Sequence, residues 1–181
     1  MSDAIALRYH PATFDTAPLH EFAEVLSEYD IEHFSAHEVM PLGRETILDP
    51  GQYIEAAAIL GRGALSEAER YVIALVPPPR EIWARIIPTL QIADKLRKAT
   101  GAPLGVNSCW RDPLYNLAVG GAAGSQHREF MAIDVSSGVW GPSRVADWLE
   151  AHELASQLGV GRYVTFTHFD LRGYRARWGT R

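Results

Sequence analysis

Between residues 80 and 101 the chain reads REIWARIIPTLQIADKLRKATG, which places Ile82, Ile86, Leu90, Ala93 and Leu96 on one helical stripe. An apolar stripe of that length has to be covered by other elements, so it constrains what the rest of the chain can form. Pro88 lies inside the stripe and should kink the helix or divide it in two, and Gly101 is a suitable stop. Downstream the pattern changes. LGVNSCWR reads as a strand, and DPLYNLAVGG as a short helix opened by Asp112 and Pro113 and closed by a glycine pair. AIDVSS reads as a second strand. SRVADWLEAHELASQLGVG reads as an amphipathic helix with Ser143 as N-cap and Gly159 as stop. RYVTFTHFDLR then gives a third strand and RARWG a fourth. Helices and strands in this succession predict an α+β fold in which helices cover a small, mostly antiparallel sheet. A parallel arrangement is the alternative, because the helix before Tyr163 also suits a right-handed crossover.

Upstream of residue 60 the reading is short helices and loops. PLHEFAEVLSEY carries Leu19, Phe22 and Leu26 at helical spacing, and Pro41, Gly43, Pro50 and Gly51 punctuate the segment after it. Residues 1–60 are therefore expected to form an N-terminal extension packed on a core domain of residues 61–181. The length of 181 residues suits one compact domain overall.

With 47% hydrophobic and 22% charged residues the chain has the composition of a folded globular protein. A formal net charge of −5 argues against a nucleic-acid partner, which needs a basic patch or stripe. The arginines of the C-terminal LRGYRARWGTR alternate with aromatics, as on a strand whose two faces differ, and read as a solvated face. Cys109 is the single cysteine, so an internal disulfide is excluded and any metal must be held by histidine and carboxylate. Next to Trp110 and without a neighbouring histidine, Cys109 reads as an inert buried thiol. Neither a membrane span nor a secretory signal is expected from the hydropathy pattern, which gives a soluble protein.

The run Phe130-Met-Ala-Ile-Asp134 leads an acid into a segment where burial is expected. Unpaired, that carboxylate would lose hydration at a cost of roughly several kcal/mol, which a divalent cation offsets directly. On a continuous strand His127 and Asp134 would point to opposite faces, but a turn at Arg128 and Glu129 lets both aim at one point. His168 and Asp170 lie two apart and share a face, with Phe169 on the other. Two histidines and an aspartate match the three-ligand set of a catalytic zinc site with its fourth position open. Spacing alone is also met by histidines that are merely hydrogen-bonded in a core.

The ordered set Ser108 and Arg111, Asn116 with Gly120 and Gly121, Ser125-x-His127, Ala132-x-Asp134 and His168-x-Asp170 resembles the M15 peptidases. This is the zinc D-Ala-D-Ala carboxypeptidase and L-Ala-D-Glu endopeptidase family of bacterial cell-wall enzymes, whose zinc site is similar to that of hedgehog domains. The resemblance runs over roughly residues 80 to 178. It implies the zinc peptidase fold, one Zn²⁺ held by His127, Asp134 and His168, and Arg111 holding the substrate or its oxyanion. It also implies that the substrate is peptidoglycan or its stem peptides; with no secretory signal expected, that substrate would be reached by phage-type release or a non-standard export route. Ser125 and Asp170 suit supporting roles behind the ligands. Asp170 either accepts the free ring N–H of a ligating histidine or pairs with Arg172 or Arg175.

Two positions depart from the family's pattern. Phe130 stands where the motif has glycine, so a positive φ there carries strain and the ring is expected to line a narrower pocket. Thr165 stands where family members place an acidic base, and a hydroxyl does not accept a proton from water near neutral pH. Glu129, His33, His37 and His152 are the candidate substitutes. A zinc-holding module of the same fold with impaired catalysis is the alternative reading.

Overall fold

The computed structural model describes residues 6–9, 15–66 and 70–179, with residues 6–9 and 70 by backbone alone. The reading of the first fifteen residues falls largely outside this set. Strand β1 (Ala6–Tyr9) is followed by helices α1 (Ala17–Glu28) and α2 (Ala36–Val39), strand β2 (Glu45–Ile47), helix α3 (Tyr53–Ile59) and strand β3 (Arg70–Ala74). Beyond a 3-10 segment, Arg80–Ile86, come α4 (Ile87–Thr100), β4 (Leu104–Ser108), α5 (Pro113–Ala118), β5 (Ala132–Ser137) and α6 (Pro142–Glu150). Strands β6 (Leu158–Arg162), β7 (Thr167–Leu171) and β8 (Ala176–Gly179) complete the order.

The apolar stripe of residues 80–101 is divided at Pro88 as its chemistry requires. The first part winds as a 3-10 helix, and Pro88 sits in the first turn of α4, where its missing N–H costs nothing. α4 ends at Gly101 with φ +65°, a left-handed stop. Its buried face, with Leu90, Ala93 and Leu96, packs on β5 and β7, and α6 packs on β6 and β7.

The five-stranded sheet has the order β4-β5-β7-β6-β8 and is antiparallel except for β6 against β8. The fold is thus α+β with a mostly antiparallel sheet, as expected. The pleat sorts residues by face. Ile133 opposite Phe169 and Val160 opposite Phe169 turn toward the helices and are fully buried. On the other face a single register row crosses all five strands: Ser108, Asp134, His168, Gly161 and Trp178.

Two sequence readings need correction. The helix expected over residues 143–159 stops at Glu150, Gly141 rather than Ser143 is its N-cap, and Gly159 lies inside β6. The LGVG segment is needed as a strand because its glycines leave room for neighbours. A Cβ on Gly159 would come within 2.6 Å of Asp170 Oδ2, and one on Gly161 within 2.6 Å of Trp178 Nε1. The strand expected over 162–172 is a hairpin: residues 163–166 turn, closed by the Tyr163 N–H donating to the Phe166 carbonyl, and only Thr167–Leu171 is strand.

The region upstream of residue 60, expected as helices and loops, also supplies strands. β1 lies parallel and β2 antiparallel to β3, forming a three-stranded sheet with strands from both sides of residue 60. Phe22 of α1 is fully buried against Trp83 and Phe130, with ring centroids at 5.5 and 5.7 Å.

Candidate metal centre

Asp134 and His168 face each other as direct cross-strand partners of β5 and β7, which places both on the face away from the helices. His127 reaches the same point from a loop of successive turns. Arg128 and Glu129 donate backbone N–H bonds to the carbonyls of Ser125 and Gln126, and Met131 N–H donates to Gln126, so the chain reverses between His127 and β5. Three side chains separated in sequence thus converge, all of them buried.

The atoms that meet are His127 Nε2, Asp134 Oδ1 and His168 Nδ1, at 3.2, 3.1 and 2.8 Å from one another. The outer ring nitrogens identify the tautomers. His127 Nδ1 lies 2.6 Å from the carbonyl of Cys109, which only accepts, so Nδ1 carries the proton. His168 Nε2 lies 2.8 Å from Asp170 Oδ2 and donates to that carboxylate. Two imidazole lone pairs and a carboxylate oxygen are therefore left facing one point. Four ligands at zinc bond lengths of about 2.05 Å in a tetrahedron lie about 3.3 Å apart, close to the spacing found. The donor set fits zinc.

The protonation tendencies follow from the same geometry. Burial alone would raise the Asp134 carboxyl, but the imidazoles of His127 and His168 against it favour its charged form and hold it well below the usual carboxylate range. Burial lowers His127, against the pull of Asp134. Burial also works against a charged His168, yet Asp134 and Asp170 on its two sides raise its pKa.

Asp170 makes both of the contacts weighed for it. It accepts from His168 and from Arg172 Nε and Nη2, both at 2.7 Å in a bidentate pair, while Arg175 is turned to Glu150. Burial opposes its ionisation, and Arg172 and His168 outweigh burial, keeping it a carboxylate. Ser125 makes no hydrogen bond to a ligand side chain among the described residues; its Oγ accepts from the His127 N–H at 3.4 Å, bracing the loop. Arg111 donates from Nη2 to Asp134 Oδ2 at 2.6 Å and from Nε to Ser108 Oγ at 2.7 Å. Asn116 is buried, and its Nδ2 donates to the carbonyls of Gly121 and Ala122. A Cβ on Gly121 would lie 2.2 Å from Asn116 Oδ1, which explains that half of the glycine pair; Gly120 has φ +69°.

Phe130 corrects the expectation for the departed motif position. Its φ is +54°, so the loop keeps the backbone that glycine would adopt, and the ring does not line the pocket. It is fully buried, edge-on to Trp110 at 5.9 Å and tilted against Phe22. Burial of a phenyl ring offsets the ~1–2 kcal/mol that a left-handed backbone costs a residue with a Cβ. Cys109 is fully buried, and burial with the nearby Asp134 charge pushes its thiol up, as an inert thiol requires.

The three ligands open onto a cavity of about 570 Å³. Three arginines, Arg44, Arg111 and Arg172, line it together with aromatic Tyr115, Tyr163, Phe166 and Trp178. Asp134 is the one carboxylate lining it among the described residues. The candidate substitute bases are placed elsewhere. Glu129 pairs with Arg85, His33 with Asp94, His152 packs on Trp148 and His37 is exposed on α2. Thr165 lies in the β6–β7 turn and does not line the cavity either.

Sequence reasoning missed Arg44 and the aromatic wall. Trp178 carried a usable signal: in RARW, Arg177 and Trp178 alternate on a strand, and Arg177 pairs with Glu150 while Trp178 lies on the ligand row. Arg44, in a turn between Gly43 and β2, had none.

The sequence model of the peptidase M15 family matches residues 65–170, more than half of the chain, and the chain belongs to that family. No curated protein matches it. M15 peptidases are zinc-dependent, and the buried His127, Asp134 and His168 form a group able to hold a metal ion. No helix among the described residues is long and apolar enough to cross a membrane.

Proposed function

We propose that the chain is a zinc-dependent peptidase that hydrolyses an amide bond in peptidoglycan stem peptides. The observation that carries this reading is the convergence of two imidazole nitrogens and a carboxylate oxygen on a cavity lined by three arginines. Stem peptides are carboxylate-rich, and a cationic wall suits them. His127, Asp134 and His168 would hold the ion, which supplies Lewis acidity toward a carbonyl and makes water a better nucleophile.

The protein's own residues prepare that chemistry. Cys109 O and Asp170 fix the imidazole tautomers, and Arg172 keeps Asp170 ionised. Arg111 has two nitrogens committed to Ser108 and Asp134, leaving Nη1 without a partner among the described residues. Arg111 lines the cavity, where that group would be a donor for negative charge developing on a substrate carbonyl oxygen.

A second reading has its own observation: no carboxylate besides Asp134 lines the cavity among the described residues, so none is free there to act as a base. On that reading the chain binds zinc and peptide without turnover. Zinc-loaded protein incubated with peptidoglycan fragments distinguishes the two. Release of free amino groups or short peptides supports the peptidase. Stoichiometric zinc with no release supports the binding module, and a protein that takes up no zinc sinks both.

A further inference from the structure

We propose that Arg44 is the specificity residue of this site and receives a carboxylate of the bound peptide, an inference that rests on the stem-peptide reading above. Of the three arginines lining the cavity, two are already committed. Arg172 forms its bidentate pair with Asp170, and Arg111 holds Ser108 and the ligand Asp134. Arg44 makes one side-chain hydrogen bond, from Nη1 to the Asn107 carbonyl at 2.7 Å, and its Nε and Nη2 have no partner among the described residues.

Its placement is built rather than incidental. The Arg44 carbonyl accepts from the Leu75 N–H at 2.9 Å, and the Gly43 N–H donates to Leu75 O at 3.0 Å, so the backbone is pinned to the chain leaving β3. The ladder between β4 and β5 shifts register between Val106 and Ser108, and the Asn107 carbonyl at that irregularity accepts from Arg44. The next residue, Ser108, accepts from Arg111, whose other arm reaches Asp134. Arg44 thus stands one residue along β4 from the pair that touches the ligand group. A guanidinium tethered at one nitrogen keeps a free edge for a planar, two-oxygen anion, the geometry of a carboxylate. Arg44 also lies upstream of the family-matched segment, so it is a feature of this chain's own N-terminal part.

The carboxylate has two sources in the substrate, the peptide's C-terminus and an internal γ-linked glutamate, and the test separates them. The probes are the pentapeptide L-Ala-γ-D-Glu-L-Lys-D-Ala-D-Ala, its C-terminal amide, and the form with the glutamate α-carboxylate amidated. Their dissociation constants are measured with zinc-loaded wild type, Arg44→Ala and Arg44→Lys; where a probe is cleaved, KM is compared instead. One amidation should weaken binding to the wild type about tenfold, the lower end for a charge-assisted contact at an exposed arginine. Arg44→Ala should bind the free acid about tenfold more weakly and lose the discrimination, and Arg44→Lys should recover part of it. Equal binding of all three probes to the wild type overturns the proposal while leaving the peptide reading standing. So does discrimination that survives in Arg44→Ala. If none of the probes binds zinc-loaded wild type, the stem-peptide reading fails and takes the proposal with it.

Discussion

Replacing Phe130 by alanine and by glycine separates the two energies that meet at this residue. Either change removes a fully buried ring from between Phe22 and Trp110, and truncating a core phenylalanine costs about 3–5 kcal/mol. The two variants differ in their backbone energy. On ordinary helical or extended backbone glycine is less stable than alanine by about 0.5–1 kcal/mol, because the unfolded chain is freer. At φ +54° alanine carries about 1–2 kcal/mol of left-handed strain that glycine escapes. The usual order should therefore cancel or reverse, with Phe130→Gly as stable as Phe130→Ala or slightly more so. Urea unfolding of metal-free protein reads the difference directly, and thermal melts should place both variants about 6–20 °C below the wild type. If Phe130→Gly is about 1 kcal/mol or more less stable than Phe130→Ala, residue 130 does not sit in the left-handed region, and ring burial has no backbone strain to offset.

Zinc at a hundred times its dissociation constant should stabilise the fold by about 2.7 kcal/mol, raising Tm by roughly 5–11 °C, with chelator reversing the shift. His127→Ala and Asp134→Ala should show neither the shift nor stoichiometric zinc by elemental analysis; a bound ion in either variant contradicts the ligand set. Asp170→Asn should weaken zinc binding about 10–100-fold in competition with a chelating dye, because His168 loses the carboxylate that fixes its tautomer. Gly161→Ala should cost about 1–3 kcal/mol and alter the near-UV signal of Trp178, whose Nε1 would meet the new Cβ at 2.6 Å; an unchanged signal refutes the close approach. Hydrogen bonds from Arg177 hold Glu150 below its ordinary value, so the pair's contribution is fully present above about pH 4.3 and is lost as pH falls through the lowered folded value. Glu150→Gln should therefore lose less stability than the wild type on going from about pH 5 to about pH 3, and parallel acid-unfolding curves would refute that coupling.

The parts of this molecule legible in the sequence are those governed by local periodicity or by an evident energetic demand. The stripe from Ile82 to Leu96, its division at Pro88 and its stop at Gly101 are local properties, and the structure agrees with them. The acid ending Phe-Met-Ala-Ile demanded a partner, and it meets two imidazoles. What escaped was decided by contacts distant in sequence. Gly159 and Gly161 resemble helix-stop and turn residues, yet their role is to lie beneath Asp170, Arg172 and Trp178 on the neighbouring strands. Phe130 looked like a pocket residue because its packing partner Phe22 stands more than a hundred positions earlier. Arg44 was invisible because its meaning depends on a carbonyl released by an irregularity in a strand far downstream.

The mixed three-stranded sheet has a practical corollary for anyone trimming this chain. A fragment beginning at residue 65 would keep every ion-holding side chain but strip β3 of both flanking partners and uncover Phe130 on the side where α1 seats Phe22. The recognisable portion of the sequence is thus expected to be less stable when cut out alone. The loop that presents His127 ends at Phe130, whose ring packs on Phe22 in a stretch that no motif marks, so minimal versions of the protein should be cut elsewhere.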